Sequence, residues 1–509
     1  MAYLLGIDIG TSGTKALLCD EAGAVLGLGS APHDLSSPKP GWSEQDPEQW
    51  WSASGKAVKQ ALKKAGVAKS DVSAIGLSGQ MHGAVFLDRQ DRVLRPAILW
   101  NDQRTGEECQ AIEDAVGGRR KLIPKVGNPA LTGFTAPKAL WLRTHEPRNY
   151  DRCRSLLLPK DYLRLRMTGE KHTDVGDASG TLLLDVRKRA WSRPVIEAIE
   201  LDAGWLPPVL ESHEIAGKLT PSAAKALGLT PGVPVAAGSG DQPACAVGVG
   251  VVQRGAVSAT LGTSGVVFAH SDEPAFDPHG RVHTMCSAVE GKWCVFGCML
   301  SAAGSFQWFR ECLADADAKL AKRQKRDIFD VLVEEAEATS PGADGLAFLP
   351  HLTGERCPHP DPGARGAWIG LARRHTRGHL VRALLEGVTL TMGQTLSILT
   401  DDMDVPAKKV LLSGGGAQSA FWRQLQADVY GKPCATVQTD QGPAYGAALL
   451  AGVGAGVWKN VPEACRAVVR ESQTLKPNAK QRRFYQHVRE RFTMLYPALR
   501  GYFDAVAHG

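Results

Sequence analysis

Two identical turns stand half a chain apart, Gly10-Thr11-Ser12-Gly13 and Gly262-Thr263-Ser264-Gly265. Glycine lets the backbone turn sharply and lets a ligand come close. Successive amides in such a turn form a concavity that binds anions. The hydroxyls add donors. Two such turns facing one cleft would grip a polyphosphate from both sides. Carboxylates stand beside both. Asp8 lies two residues before the first turn, inside the apolar run Ile7-Asp8-Ile9. A carboxylate there is costly to bury unless it is paired, hydrogen-bonded or metal-bound. Mg²⁺ is usually held by one or two carboxylates together with substrate phosphates and water, so Asp8 is the candidate metal ligand. Asp241 follows Gly238-Ser239-Gly240, where the chain can turn and present a carboxylate. That group could take the proton of an attacking hydroxyl. A third glycine cluster, Gly414-Gly415-Gly416, follows the apolar run Val410-Leu411-Leu412. Its bare backbone offers a floor for a flat ligand such as adenine. No G-x-x-x-x-G-K-[ST] occurs, and no G-x-G-x-x-G follows a strand, so P-loop and Rossmann chemistry are unsupported.

These residues need particular elements to hold them. Residues 3–9 read as a strand that leads into the first turn. Residues 16–18 and 25–28 continue it as an antiparallel meander, with a second turn at Glu21-Ala22-Gly23. Residues 47–65 carry Trp50, Trp51, Ala57, Val58, Ala61 and Leu62 on one helical face. Residues 72–77 form a buried strand that ends in Ser78-Gly79-Gln80-Met81-His82-Gly83. A further apolar run ends at Trp100-Asn101-Asp102. Strand-like residues 256–261 and 266–268 flank the second turn, so the opening pattern recurs. Helices are expected within 300–336, 376–400 and 419–431, and a terminal helix within 476–509. The mixture indicates an α/β fold. A chain of 509 residues exceeds one ordinary core. Two domains are expected, residues 1–245 and 246–509, with the junction near 240–255.

Composition narrows the function. A net charge of +6 is small for this length and gives no nucleic-acid-binding face. The basic run at 322–326 reads as the solvated side of a helix. Eleven cysteines include no C-x-x-C pair, so no zinc site is expected. No secretory signal or apolar stretch of bilayer length is visible, and a reduced cytoplasmic protein is expected.

Ordered along the chain, further stretches resemble the FGGY family of carbohydrate kinases. They include Gly6–Ser12, Trp42–Pro47, Gly79–Gly83, Ile98–Asp102, Phe134–Lys138, Leu158–Tyr162, Gly240-Asp241, Leu261–Gly265, Gly354-Glu355-Arg356, Gly366–Glu386 and Gly414–Ala417. The resemblance implies two actin-like (ribonuclease H-like) ATPase domains around an interdomain cleft. It implies ATP and Mg²⁺ in that cleft, and transfer of the γ-phosphoryl to a sugar hydroxyl. It casts Asp241 as general base and Asp8 as the acid near metal and phosphates. Thr11, Ser12, Gly262 and Thr263 match the phosphate turns, and Gly415 and Gly416 the adenosine side. Met81, His82, Asn101, Asp102 and Gln242 match the sugar contacts. Glycerol-specific members carry Arg and Glu in place of Met81 and His82. The implied substrate is D-xylulose, with ribulose or xylitol as alternatives, and a homodimer is consistent with the family. The competing class is a non-catalytic actin-like nucleotide switch, which would need neither Met81 nor His82.

Overall fold

The computed structural model describes residues 2–439 and 441–507. Its first sheet opens with the expected meander. Strands Tyr3–Ile9, Gly13–Asp20 and Val25–Pro32 pair antiparallel in turn. Val72–Gly79 then returns parallel to Tyr3–Ile9. The second sheet repeats this plan. Gly255–Leu261, Gly265–Ser271 and Trp293–Met299 form the meander, and Ala407–Ser413 lies parallel to the first of them. The duplicated tetrapeptide is thus the first hairpin turn of each sheet.

Local chemistry sets the helices. In Pro47–Ala65 the Asp46 side chain accepts from the Glu48 amide, Pro47 starts the helix, and Gly66 ends it at φ 64°. Trp50, Ala53, Ser54, Ala57, Val58 and Ala61 form its buried stripe. The region 300–336 is broken into Ala303–Leu313, Asp315–Arg323 and Ile328–Glu337, the last capped by Asp327. The terminal segment is two helices, Ala479–Thr493 and Leu495–Ala507. Tyr485, Phe492 and Phe503 bury them in the core of the second sheet's domain.

The expected boundary at 245 falls inside the helix Asp241–Gly248. A later helix, Pro443–Gly454, returns to pack on Tyr3–Ile9 and Val72–Gly79 of the first sheet, and on Asp241–Gly248. Glycines permit this contact. A Cβ on Gly6 would sit 1.8 Å from the Ala444 carbonyl oxygen, and one on Gly446 would sit 1.8 Å from that of Ala244. Neither backbone could approach so closely with a side chain in the way. The helix bearing Asp241 is thereby clamped between halves of the chain.

Candidate active site

Three strand ends converge at the C-terminal edge of the first sheet. In register, Asp8 lies beside Ser78, and Ser78 beside Ser239 of the short strand Ser239–Gly240. The chains leaving these strands carry the phosphate turn, Gln80-Met81-His82, and Asp241 respectively. Ligands of parallel sheets bind at this edge, because each strand delivers its following loop there. Asp241 is the first residue of its helix. Burial and repulsion from Asp8 push its carboxyl up to about 7, against hydrogen bonds from Gln242. Burial likewise lifts Asp8 to about 6, opposed by the Ser78 hydroxyl and by Lys15, its partner across the hairpin. The two predicted acids therefore share one poorly solvated space. Asp8 Oδ1 is shielded from water without a hydrogen-bond partner. An orphaned hard oxygen beside a second carboxylate fits Mg²⁺. Among the described residues no group of three or more metal-binding side chains assembles, so any cation would draw its other ligands from substrate and water.

The residues expected on the sugar side gather around Met81 and His82. Met81 is 3% exposed and packs on Gly240, where a Cβ would come within 2.6 Å of its Cγ. His82 takes φ 70°, and its ring packs tilted against Phe134 at 4.6 Å between centroids. Its Nδ1 lies 2.7 Å from the Gly180 carbonyl oxygen. A carbonyl only accepts, so Nδ1 carries the proton and Nε2 is left as an acceptor. Burial, with help from the charges of Lys138 and Arg356, pushes this imidazole down to about 3 despite the Gly180 bond. His82 is neutral and can accept from a sugar hydroxyl. Asn101 presents a shielded Oδ1 without a partner. Gln242 sits beside Asp241.

Asp102 does not join them. Its carboxylate is fully buried and already taken, by the Ser43 amide at 2.6 Å, the Arg104 amide at 2.9 Å and the Arg104 guanidinium at 2.7 and 2.9 Å. These bonds fix the loop that carries it.

The two turns differ in their support. At the first, Gly10 N–H bonds the Gly13 carbonyl at 3.0 Å. Trp100 Nε1 donates to Thr11 Oγ1 at 2.9 Å, and Gln45 Nε2 to the Thr11 carbonyl at 2.6 Å. Gln45 Oε1 in turn accepts from Gln80 at 2.8 Å and Trp50 at 3.0 Å. Gln45 thus couples the first GTSG turn to the loop of Gln80, Met81 and His82, a link its sequence context did not reveal. Ser12 is exposed at the tip. At the second turn, Gly262 N–H bonds the Ser264 carbonyl at 3.0 Å. Parallel pairing brings Thr260 beside Ser413, with hydroxyls 2.8 Å apart, so Gly262 and Gly415 become neighbours. Gly262, Thr263, Phe306, Phe329, Gly415 and Trp422 line a cavity of about 450 Å³. Gly416 is buried behind it against Leu261.

Behind Asp241 lies a charged cluster missed in the sequence. Lys160 Nζ, fully buried, contacts Asp161 at 2.5 Å, Asp174 at 2.8 Å and Asp177 at 3.4 Å. Asp174 accepts from the Ser239 hydroxyl at 3.1 Å, two residues from Asp241. Lys160 and Asp161 lay within a family-like stretch, but nothing local named their partners.

Two duplicated domains with phosphate turns and paired acids define a phosphotransferase with an actin-like ATPase core. The chain belongs to the FGGY family of carbohydrate kinases: the family's N-terminal domain matches residues 3–248 and its C-terminal domain residues 257–455. It is similar to the xylulose kinase of Escherichia coli (strain K12), 42% identical over 97% of this chain and 99% of that one. The xylulose kinase of Bacillus subtilis (strain 168) is 36% identical over 97% of each chain. The crystal structure of xylulose kinase from Rhodospirillum rubrum superposes with a TM-score of 0.90 at 30% identity, covering 99% of this chain and 100% of that one. Among the described residues no helix is long and apolar enough to cross a membrane.

Proposed function

We propose that this chain transfers the γ-phosphoryl of ATP to the terminal hydroxyl of D-xylulose, giving D-xylulose 5-phosphate. The observation that carries the reading is the convergence of Asp241, Met81 and His82 on one strand-end edge, in a chain whose full-length relatives bear the name xylulose kinase. The sugar lies against Met81, accepts order from His82 Nε2, Asn101 and Gln242, and points its hydroxyl at Asp241. The adenine side of ATP occupies the cavity floored by Gly415. The turns at Thr11-Ser12 and Gly262-Thr263 hold the phosphates with backbone amides. Asp8 would hold Mg²⁺, which when bound neutralises phosphate charge. Asp241 takes the hydroxyl proton as the new P–O bond forms and ADP leaves. Closure of the domains keeps water from competing for the phosphoryl group. Eleven free cysteines support a reduced, cytoplasmic setting. A homodimer remains part of this reading, on family likeness.

The deciding experiment is a coupled ADP-release assay with D-xylulose, ribulose, xylitol and glycerol. D-Xylulose should give the highest kcat/KM. No stimulation by any sugar would refute the kinase reading and favour a nucleotide switch. Preference for another sugar would refute the substrate alone.

A further inference from the structure

Arg356 belongs to the loop after His351 and has no role in the scheme above. Its backbone is held from several sides. Glu355, 3% exposed, accepts from the Leu300 amide at 2.9 Å, the Arg356 amide at 2.8 Å and His351 Nδ1 at 2.9 Å. The Ser301 and Thr353 hydroxyls bond at 3.1 Å. The chain just after Leu300 is tied to the second phosphate turn: Ala302 N–H bonds the Thr263 carbonyl at 2.9 Å, and Ala303 N–H that of Gly262 at 2.8 Å. Arg356 is therefore fixed relative to the turn that grips phosphate.

Its side chain has the opposite character. The guanidinium is half-buried, yet among the described residues it makes no hydrogen bond and no ion pair. The neighbouring carboxylate of Glu355 is occupied by the donors just named. The groups that feel its charge are His82 and His283, both of which it disfavours as cations. Both rings pack on Phe134, at 4.6 and 5.7 Å. Arg356 and Asp241 also act together on the Cys298 thiol, pulling it in opposite directions. The cation thus lies near enough to His82 and His283 for its charge to act on both, on a loop whose backbone is tied to the second GTSG turn.

A partly buried cation on a fixed backbone, with no anion beside it, gains when an anion arrives. A planar guanidinium matches phosphate oxygens two at a time. We propose that Arg356 binds the phosphoryl group during transfer, first as the terminal phosphate of the nucleotide and then as the phosphate ester of the sugar. The bond from phosphorus to the ADP oxygen breaks and the bond to the sugar oxygen forms. The sugar proton goes to Asp241, and Arg356 neither gains nor loses one. This assignment rests on the kinase reading of the site.

The test compares wild type, Arg356→Gln and Arg356→Lys. Steady-state kinetics give kcat and both KM values. Calorimetry gives the affinities for D-xylulose and for D-xylulose 5-phosphate. In Arg356→Gln, kcat should fall about 10²–10³-fold, the loss typical of one removed transition-state donor. Affinity for the sugar phosphate should fall about tenfold or more, against less than about threefold for the free sugar. Arg356→Lys should lie between, since it keeps the charge but loses the fork. A folded Arg356→Gln enzyme with near-wild-type kcat would overturn the proposal. Equal loss of affinity for sugar and sugar phosphate would also overturn it, making Arg356 a sugar contact. If Arg356→Gln does not fold, Arg356→Lys carries the same comparison of the two ligands. Wild type inactive on D-xylulose fails the parent reading; active wild type with an indifferent variant fails only this one.

Discussion

Replacing Asp241 by Asn should abolish most turnover and yet stabilise the ligand-free protein. The carboxyl is held at about 7, against its ordinary 3.8, by burial and by the charge of Asp8. A raised folded pKa in an acid means that stability is fully present below the unfolded value of 3.8 and is lost as pH rises through about 7. Each pH unit of that interval corresponds to about 1.4 kcal/mol, so the ionised acid costs at most about 4 kcal/mol above pH 7. Asn keeps the shape and carries no charge. With relaxation and water entry a gain of about 1–4 kcal/mol is expected at pH 8, or about 2–8 °C in the melting of that domain. The gain should shrink as pH falls from 7 toward 4. Differential scanning fluorimetry at several pH values, without Mg²⁺ or nucleotide, measures it. Activity should fall about 10²–10⁴-fold, as for loss of a general base. A variant that melts lower at pH 8, or a gain independent of pH, would refute the electrostatic argument. Turnover within tenfold of wild type would refute Asp241 as the base.

Two other substitutions separate the parts of the molecule. At Gly415 a Cβ would meet only the Leu261 carbonyl, at 3.9 Å, so a longer side chain has room to enter the cavity. Gly415→Leu should raise KM for ATP about tenfold, or about 1.4 kcal/mol, and leave KM for D-xylulose unchanged; an unaltered ATP KM would remove adenine from this cavity. Lys160→Met would leave Asp161, Asp174 and Asp177 without their shared cation. Loss of one partner of a buried ion network costs about 3–5 kcal/mol, and urea unfolding that shows less than about 1 kcal/mol would contradict the assignment.

What the sequence showed, and what it hid, follows from where the partners lie. The meander and its turn were readable because strand, turn and strand are contiguous, and because the tetrapeptide recurs. Asp8 stood out as a charge in an apolar strand. Asp102 shows how near partners can hide in plain sight: Arg104, only two residues on, donates to its carboxylate, which the polar strand end by itself does not announce. Gln45 was invisible as a hub because Gln80 is 35 residues away. Glu355 was equally silent, with Leu300 55 residues off. The cavity floored by Gly415 needed Phe306 and Phe329, from separate helices in what read as one helical region. The returning helix Pro443–Gly454 explains Gly6 and Gly446, whose spacing alone carries no such message.

The duplicated turn has unequal copies, and the inequality is what suits the pair to transfer. Side chains brace the first copy: Gln45 and Trp100 hold Thr11, and Asp8 stands across the strand from Lys15. Backbone bonds brace the second, through Ala302 and Ala303, and lead to Arg356. One wall of the cleft therefore carries two acids at an energetic disadvantage, while the other carries an unpaired cation. Lys15, Ser78 and Gln242 offset the first imbalance only in part, and among the described residues no carboxylate pairs with Arg356. A cation on the acid wall and a phosphoryl group before Arg356 would relieve both, and binding energy would then be released where charge moves during the reaction. That coupling favours interactions strongest in the transition state over uniform grip of the substrates.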